Sequence, residues 1–90
     1  MQITDVKVFA VTKDDERLKA FATITFDDCF IVRDLKVIDG SEGLFVAMPS
    51  KRRKDGQYKD IAHPLNNEMR EVIESAVLVE YKEETQKIRA

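Results

Sequence analysis

The sequence has little of the residues on which catalysis and metal binding most often depend. The 90 residues include one histidine, one cysteine and no tryptophan. A zinc site takes about four His, Cys or acidic ligands, so His63 and the distant Cys29 make a poor pair. A nucleophilic site needs an activated Ser or Cys beside an oriented base, and no motif here pairs His63 with one. We therefore predict a protein that is not an enzyme and that uses no metal, cofactor or small-molecule substrate.

The scarcity of long apolar runs and of cysteine further limits the class of protein to which the chain can belong. No apolar run approaches the ~20 residues of a membrane span, and the first residues do not follow the order of a signal peptide. We expect a cytoplasmic protein that does not bind membranes. A single cysteine excludes an internal disulfide. Cys29 lies in an apolar stretch, so the sequence predicts that it is a small buried hydrophobe.

Apolar residues are nevertheless plentiful and evenly spread. They make up 43% of the chain, which excludes the disordered class. We expect one domain over residues 1–90. A chain of this length buries only about two thirds of the surface that it exposes when unfolded. Monomer stability should be small, and the sequence favours a homodimer.

The first two thirds of the chain predict antiparallel strands. Apolar residues alternate with polar ones over residues 3–11 and most clearly over residues 18–26, and residues 29–38 are rich in β-branched side chains. The first strand should end at Thr12, before a charged turn at residues 13–17. Asp27 and Asp28 suit a tight turn. The alternation slips near Arg33 and Asp34, which predicts a β-bulge there.

Two further strands are predicted before the helix. The apolar run at residues 44–48 is typical of a strand buried on both faces, and Pro49 ends it. A loop at residues 39–43 precedes this strand. Asp55 and Gly56 form a hairpin turn signal, so residues 58–62 can return as a fifth strand. The fold class is therefore α+β, an antiparallel meander of about five strands followed by one C-terminal amphipathic helix.

The apolar period changes to steps of three and four after Pro64, from Met69 to Tyr81, which is typical of an amphipathic helix. Asn66 or Asn67 is a good N-cap. The helix should reach about Thr85, with a frayed tail from about residue 86. The predicted core comprises Val8, Ala22, Ile24, Val32, Val37, Phe45, Ala47, Val72, Ile73 and Val77. His63, which precedes a proline, should make a backbone hydrogen bond that fixes the turn from sheet to helix.

Positive charge is concentrated in one place. The chain carries a formal charge of -2, so it has no general attraction to nucleic acid. Lys51, Arg52, Arg53 and Lys54 are consecutive, in or beside the predicted hairpin loop. Such a run is a solvated loop in many proteins. On a hairpin tip, however, these cations can reach phosphates, and Tyr58 can either stack on a base or pack against the neighbouring strand.

Long segments of the chain resemble one known family. The segments VIDG, GLFVAMPSKR and DIAHPLN within residues 37–66, together with ITDVKV near the N-terminus, are similar to the signature of the SpoVG family. These are the bacterial stage V sporulation and septation regulators. The resemblance extends to about Tyr81.

The resemblance implies a homodimeric bacterial regulator of gene expression that binds DNA and, in some members, RNA. It places contacts to the nucleic-acid backbone at Lys51, Arg52, Arg53 and Lys54, and the family pattern is more variable at the last two positions. Arg70, within NNEMR, looks like a family feature that either contacts nucleic acid or caps a neighbouring strand. The alternative is a protein-interaction module of the cell-division or transcription machinery that does not touch nucleic acid.

Overall fold

The computed structural model describes residues 1–11 and 17–89, with side chains as far as residue 86. The predicted strand end at Thr12 and most of the predicted charged turn, residues 13–16, lie outside the described residues. The fold is α+β, as the sequence predicts. Its elements are β1 Ile3–Ala10, β2 Leu18–Phe26, β3 Phe30–Gly40, β4 Gly43–Ala47, β5 Ser50–Arg52, β6 Tyr58–Asp60 and α1 Asn67–Arg89.

The first four strands form one antiparallel meander in the order β1-β2-β3-β4. The turn between β2 and β3 has positive φ at both Asp27 (50°) and Asp28 (54°), which confirms the predicted tight turn. The turn between β3 and β4 is shorter than predicted. Gly40 pairs with Gly43, so only Ser41 and Glu42 lie outside the ladder.

The predicted bulge in β3 is confirmed. Ala22 pairs with Leu35 and Ile24 with Val32, so β3 carries one more residue than β2 between the two pairs. Asp34 has a φ of 65°, within the left-handed region that aspartate tolerates better than most residues. The bulge lets Val32 and Leu35 point to the same face, which an unbroken alternation would forbid.

Helix α1 packs on one face of this sheet, mainly along β1 and β4. The side-chain oxygen of Asn66 accepts a hydrogen bond from the Met69 N–H at 2.8 Å, which confirms the predicted N-cap. The helix continues to Arg89, beyond the predicted end near Thr85. Buried apolar residues between helix and sheet form a single cluster: Val8, Ala20, Ala22, Ile24, Phe26, Leu35, Val37, Val46, Met48, Ile73 and Val77.

Six of the ten predicted core positions are buried, namely Val8, Ala22, Ile24, Val37, Ile73 and Val77. Val32 and Ala47 are half-buried. The prediction was wrong for Phe45 and Val72, which are 42% and 52% exposed. The helix covers one face of the sheet only, so β4 is not buried on both faces, and Val46 rather than Phe45 points to the core. The buried seam of α1 runs from Ile73 to Val77, one step away from Val72.

The predicted fifth strand forms as β6, ends at Asp60 instead of residue 62, and does not join the meander. Its partner β5 was not predicted as a strand. β6 pairs with β5 in a separate two-stranded sheet. The buried Pro49 ends the main sheet as predicted, and its carbonyl accepts a hydrogen bond from the Ile61 N–H at 2.7 Å. This bond closes the base of the β5–β6 hairpin where it leaves the body of the protein.

The prediction for Cys29 was wrong. The side chain is exposed, because Cys29 belongs to the turn after β2 rather than to β3. Its N–H donates to the carbonyl of Phe26 at 3.0 Å, which completes that turn. Within the described part of the chain, no helix is both long and apolar enough to cross a membrane.

Candidate nucleic-acid interface

The β5–β6 hairpin is held by its backbone rather than by packing. All residues from Ser50 to Asp60 are exposed. The Arg53 N–H donates to the carbonyl of Gln57 at 2.7 Å, and the Gly56 N–H donates to the carbonyl of Arg53 at 3.0 Å. The Asp55 carboxylate accepts from the Gln57 N–H at 3.0 Å, and Gly56 supplies a φ of 88°. Local turn chemistry therefore shapes this hairpin.

The four consecutive cations occupy this hairpin, as the sequence predicts. Lys51 and Arg52 lie on β5, whereas Arg53 and Lys54 lie in the turn. An added Cβ at Gly56 would lie 3.9 Å from Nη2 of Arg52, so the Arg52 guanidinium lies close to the turn. An open depression is lined by these four cations together with Lys59, Asp60 and Ile61.

Lys59 is a site residue that the sequence analysis missed. It pairs directly with Lys51 across the two strands. Like charges placed directly opposite each other destabilise a strand pair, and an anion between them relieves the repulsion. The signal was present in the sequence, because a strand returning from the Asp55–Gly56 turn brings Lys59 back toward the basic run. Residues 50–60 carry a formal charge of +3, against -2 for the chain.

Tyr58 is not a core residue. It is 70% exposed and pairs across the strands with Arg52. Its side chain therefore lies on the same face of the hairpin as that of Arg52 and is open to solvent. An aromatic ring beside arginine can stack on a base while the arginine contacts a phosphate.

Arg70 lies on α1, whereas the other predicted site residues lie on the β5–β6 hairpin. Arg70 is half-buried near the start of α1 and does not line the depression formed by the hairpin cations.

Between the hairpin and α1 lies the segment of residues 61–66, where His63 Nδ1 and the Pro64 carbonyl oxygen are 3.0 Å apart. With the proton on Nδ1, His63 donates this bond, and the predicted backbone hydrogen bond at the turn from sheet to helix is confirmed.

Comparison with known proteins identifies the family. The family model described as SpoVG matches residues 1–83. The chain belongs to the SpoVG family. A septation protein named SpoVG from Anaeromyxobacter sp. (strain Fw109-5) is 63% identical over 97% of this chain and 88% of its own length. The Bdellovibrio bacteriovorus relative is 62% identical over 93% of this chain and 76% of its own. One from Caldicellulosiruptor saccharolyticus is 49% identical over 91% and 92%.

The family match covers most of the described structure. Residues 1–83 contain the meander, the whole basic hairpin and most of α1. The names of these relatives describe septation proteins and state no catalytic activity. The basic hairpin is thus part of a SpoVG-family domain and not an addition to it.

Proposed function

We propose that this SpoVG-family protein is a DNA-binding regulator of bacterial gene expression with a role in septation and sporulation, and that it also binds RNA. The observation that carries the proposal is the hairpin of β5 and β6, on which five cations converge on one open depression. The surrounding chain is acidic, so the attraction to phosphate is local.

The shape of the hairpin supports a duplex ligand. A two-stranded antiparallel ribbon fits the major groove of B-DNA, which is about 12 Å wide. Exposed lysine and arginine side chains on such a ribbon reach phosphates with little loss of hydration. Lys51, Arg52 and Lys59 would then contact the backbone, while Arg53 and Lys54 lie at the tip. Phosphate contacts position a protein and carry little sequence information, so we expect sequence-tolerant binding.

A homodimer would present two such hairpins. Exposed apolar surface near the hairpin supports the formation of a homodimer. A cavity of about 170 Å³ opens beside α1, on the face of the sheet that the helix leaves partly uncovered. Ala62, His63 and Pro64 line it, and Ile61 and Leu65 beside them are 69% and 93% exposed. Apolar surface of this kind favours association. We propose that a second copy covers it, and sedimentation showing a monomer at micromolar concentration would contradict this.

The dependence of DNA affinity on salt tests the proposal. If each hairpin engages about two or three phosphates, a dimer neutralises about five. The logarithm of the DNA association constant should then fall with the logarithm of the salt concentration with a slope of about -4 to -5. The double variant Lys51→Ala/Arg52→Ala should bind all duplex sequences more weakly and flatten that slope. Folding stability should hardly change, because exposed charges contribute little to it. Gel shifts at several salt concentrations measure both quantities.

The matched control removes the same charges elsewhere. Arg17 and Lys82 are exposed and lie outside the hairpin. The double variant Arg17→Ala/Lys82→Ala should keep the wild-type slope. If the hairpin variant stays folded and keeps both affinity and slope, the basic run is a solvated loop. The interaction-module hypothesis would then replace DNA binding.

A further inference from the structure

The face of the main sheet opposite α1 carries three exposed aromatic side chains. Phe9, Phe21 and Phe45 are 58%, 39% and 42% exposed. Phe9 pairs with Phe21 across β1 and β2, and Phe45 pairs with Ile38 across β4 and β3. The rings lie on β1, β2 and β4, and Lys36 and Ile38 of β3 lie between Phe21 and Phe45. The three rings therefore span the width of the sheet, on the order of 14 Å at about 4.8 Å per strand.

Lysines alternate with these rings on the same face. Lys7 precedes Phe9 by two positions, the spacing that keeps side chains on one side of a strand. Lys19 precedes Phe21 by two positions at a register shift between β2 and β3, and its carbonyl accepts from the Val11 N–H at 2.9 Å, which continues the regular pairing with β1. Lys36 pairs directly with Phe21. Asp5 is an acidic neighbour on this face, next to Lys7 along β1. A face built for apolar protein docking alone has no need of three lysines among the rings.

Phe45 lies in a defined position. An added Cβ at Gly40 would come within 2.8 Å of Cε1 and 3.1 Å of Cδ1 of the Phe45 ring. The ring thus lies against the glycine backbone at the end of β3, where any other residue would displace it. A ring that is ordered before the ligand arrives loses little conformational entropy on binding.

We propose that this face binds single-stranded RNA, with unpaired bases stacking on Phe9, Phe21 and Phe45. Aromatic rings interleaved with cations match a ligand that has flat bases and a phosphate backbone. Bases inside a duplex have no free flat faces, so the ligand is unpaired. A common RNA-binding module uses exposed aromatic residues on a four-stranded sheet in the same way.

Two threonines favour RNA over DNA. Thr23 and Thr25 follow Phe21 on the same strand at the same two-residue spacing. Their hydroxyls can exchange hydrogen bonds with the ribose 2′-hydroxyl, the group that lets proteins distinguish RNA from DNA. The inference shares with the proposed function only the class of ligand, since the site lies on another element and binds through stacking.

A fluorescence titration with a short single-stranded RNA carrying 2-aminopurine tests this, because stacking quenches that base. The double variant Phe9→Leu/Phe21→Leu keeps the apolar area and removes the rings. We expect it to lose the quenching and to bind RNA about tenfold more weakly or worse, given what one stacked base contributes. Phe9→Tyr/Phe21→Tyr, the matched control, should retain both. Duplex DNA affinity should be unchanged in each variant.

Each other outcome has a defined meaning. Wild-type RNA binding by the leucine variant would overturn the inference, and so would equal affinity for the DNA oligomer of the same sequence. A leucine variant that sediments as a smaller species than wild type would show that a second copy occupies the face, and would also overturn it. RNA quenching that persists in Lys51→Ala/Arg52→Ala supports it. Should wild type quench the RNA yet fail to bind duplex DNA, the DNA-binding role proposed for the hairpin fails and this inference stands.

Discussion

The protein has two regions that are stabilised in different ways. In the body, β1–β4 and α1 enclose a cluster in which Val37 and Val77 are completely buried. In the β5–β6 hairpin every residue from Ser50 to Asp60 is exposed, and shape comes from turn chemistry and a short ladder. The core of the body consists of apolar side chains, whereas the hairpin carries exposed charged side chains and contains no buried residue.

This difference separates folding from the proposed binding. Buried apolar area supplies most of the free energy of folding, and the hairpin contributes little of it. Like charges can therefore be placed together on the hairpin, as Lys51 and Lys59 are, without unfolding the domain. Substitutions in the body should change stability, and substitutions in the hairpin should change binding.

The largest expected effect lies in the body. Ile73→Ala removes a side chain that is 6% exposed and should lower the free energy of unfolding by about 2–5 kcal/mol. Val72→Ala, at the neighbouring position on the exposed side of the helix, should cost about 0.5 kcal/mol or less. Denaturant titration measures both. Equal losses in the two variants would mean that the helix seam is misplaced.

Two glycines allow the same change to be made in each region. Gly43, in the body, has a φ of 118°, and Gly56, in the hairpin, has a φ of 88°. An added Cβ meets nothing within 4 Å at Gly43 and only the flexible Arg52 side chain at Gly56, so backbone strain of about 1–2 kcal/mol is the main cost at both.

Gly43→Ala should therefore lower the denaturation midpoint of the whole domain. Gly56→Ala should leave that midpoint nearly unchanged, because a hairpin with few buried contacts can open locally. Faster hydrogen exchange at the Arg53 amide and weaker DNA binding should reveal the local strain. A global loss in Gly56→Ala as large as in Gly43→Ala would show that the hairpin and the body unfold together.

The smallest expected effect concerns the paired lysines. Lys59→Gln relieves the repulsion with Lys51 and should stabilise the hairpin by about 0.2–1 kcal/mol. The same variant should lose roughly one unit of the salt slope per hairpin that engages DNA through Lys59. Lys82→Gln, on the exposed surface of α1, is the control and should change neither. Unchanged DNA affinity in Lys59→Gln would remove Lys59 from the proposed interface.

Several details were predictable because they follow from local chemistry. The Asp27–Asp28 turn, the bulge at Asp34, the Asn66 cap and the placement of the basic run at a hairpin each depend on residues close together in the chain. Cys29 was misjudged because its apolar neighbours belong to β3, whereas the turn ends one residue later than the pattern indicated. Phe45 was misjudged because a continuous apolar run does not reveal how many faces of a strand are covered.

By itself, the sequence determined the class of the fold, the order and approximate limits of every element except β5, and the position of the cations, since periodicity and turn residues act over a few positions. Tertiary structure alone decided which sheet face the helix covers, that β6 pairs with β5 instead of extending the meander, and that Lys59 lies opposite Lys51. It also decided that Phe9, Phe21 and Phe45 are exposed on one face of the sheet. These arrangements join residues far apart in the chain, and their free energies depend on how whole elements pack, which no local pattern encodes.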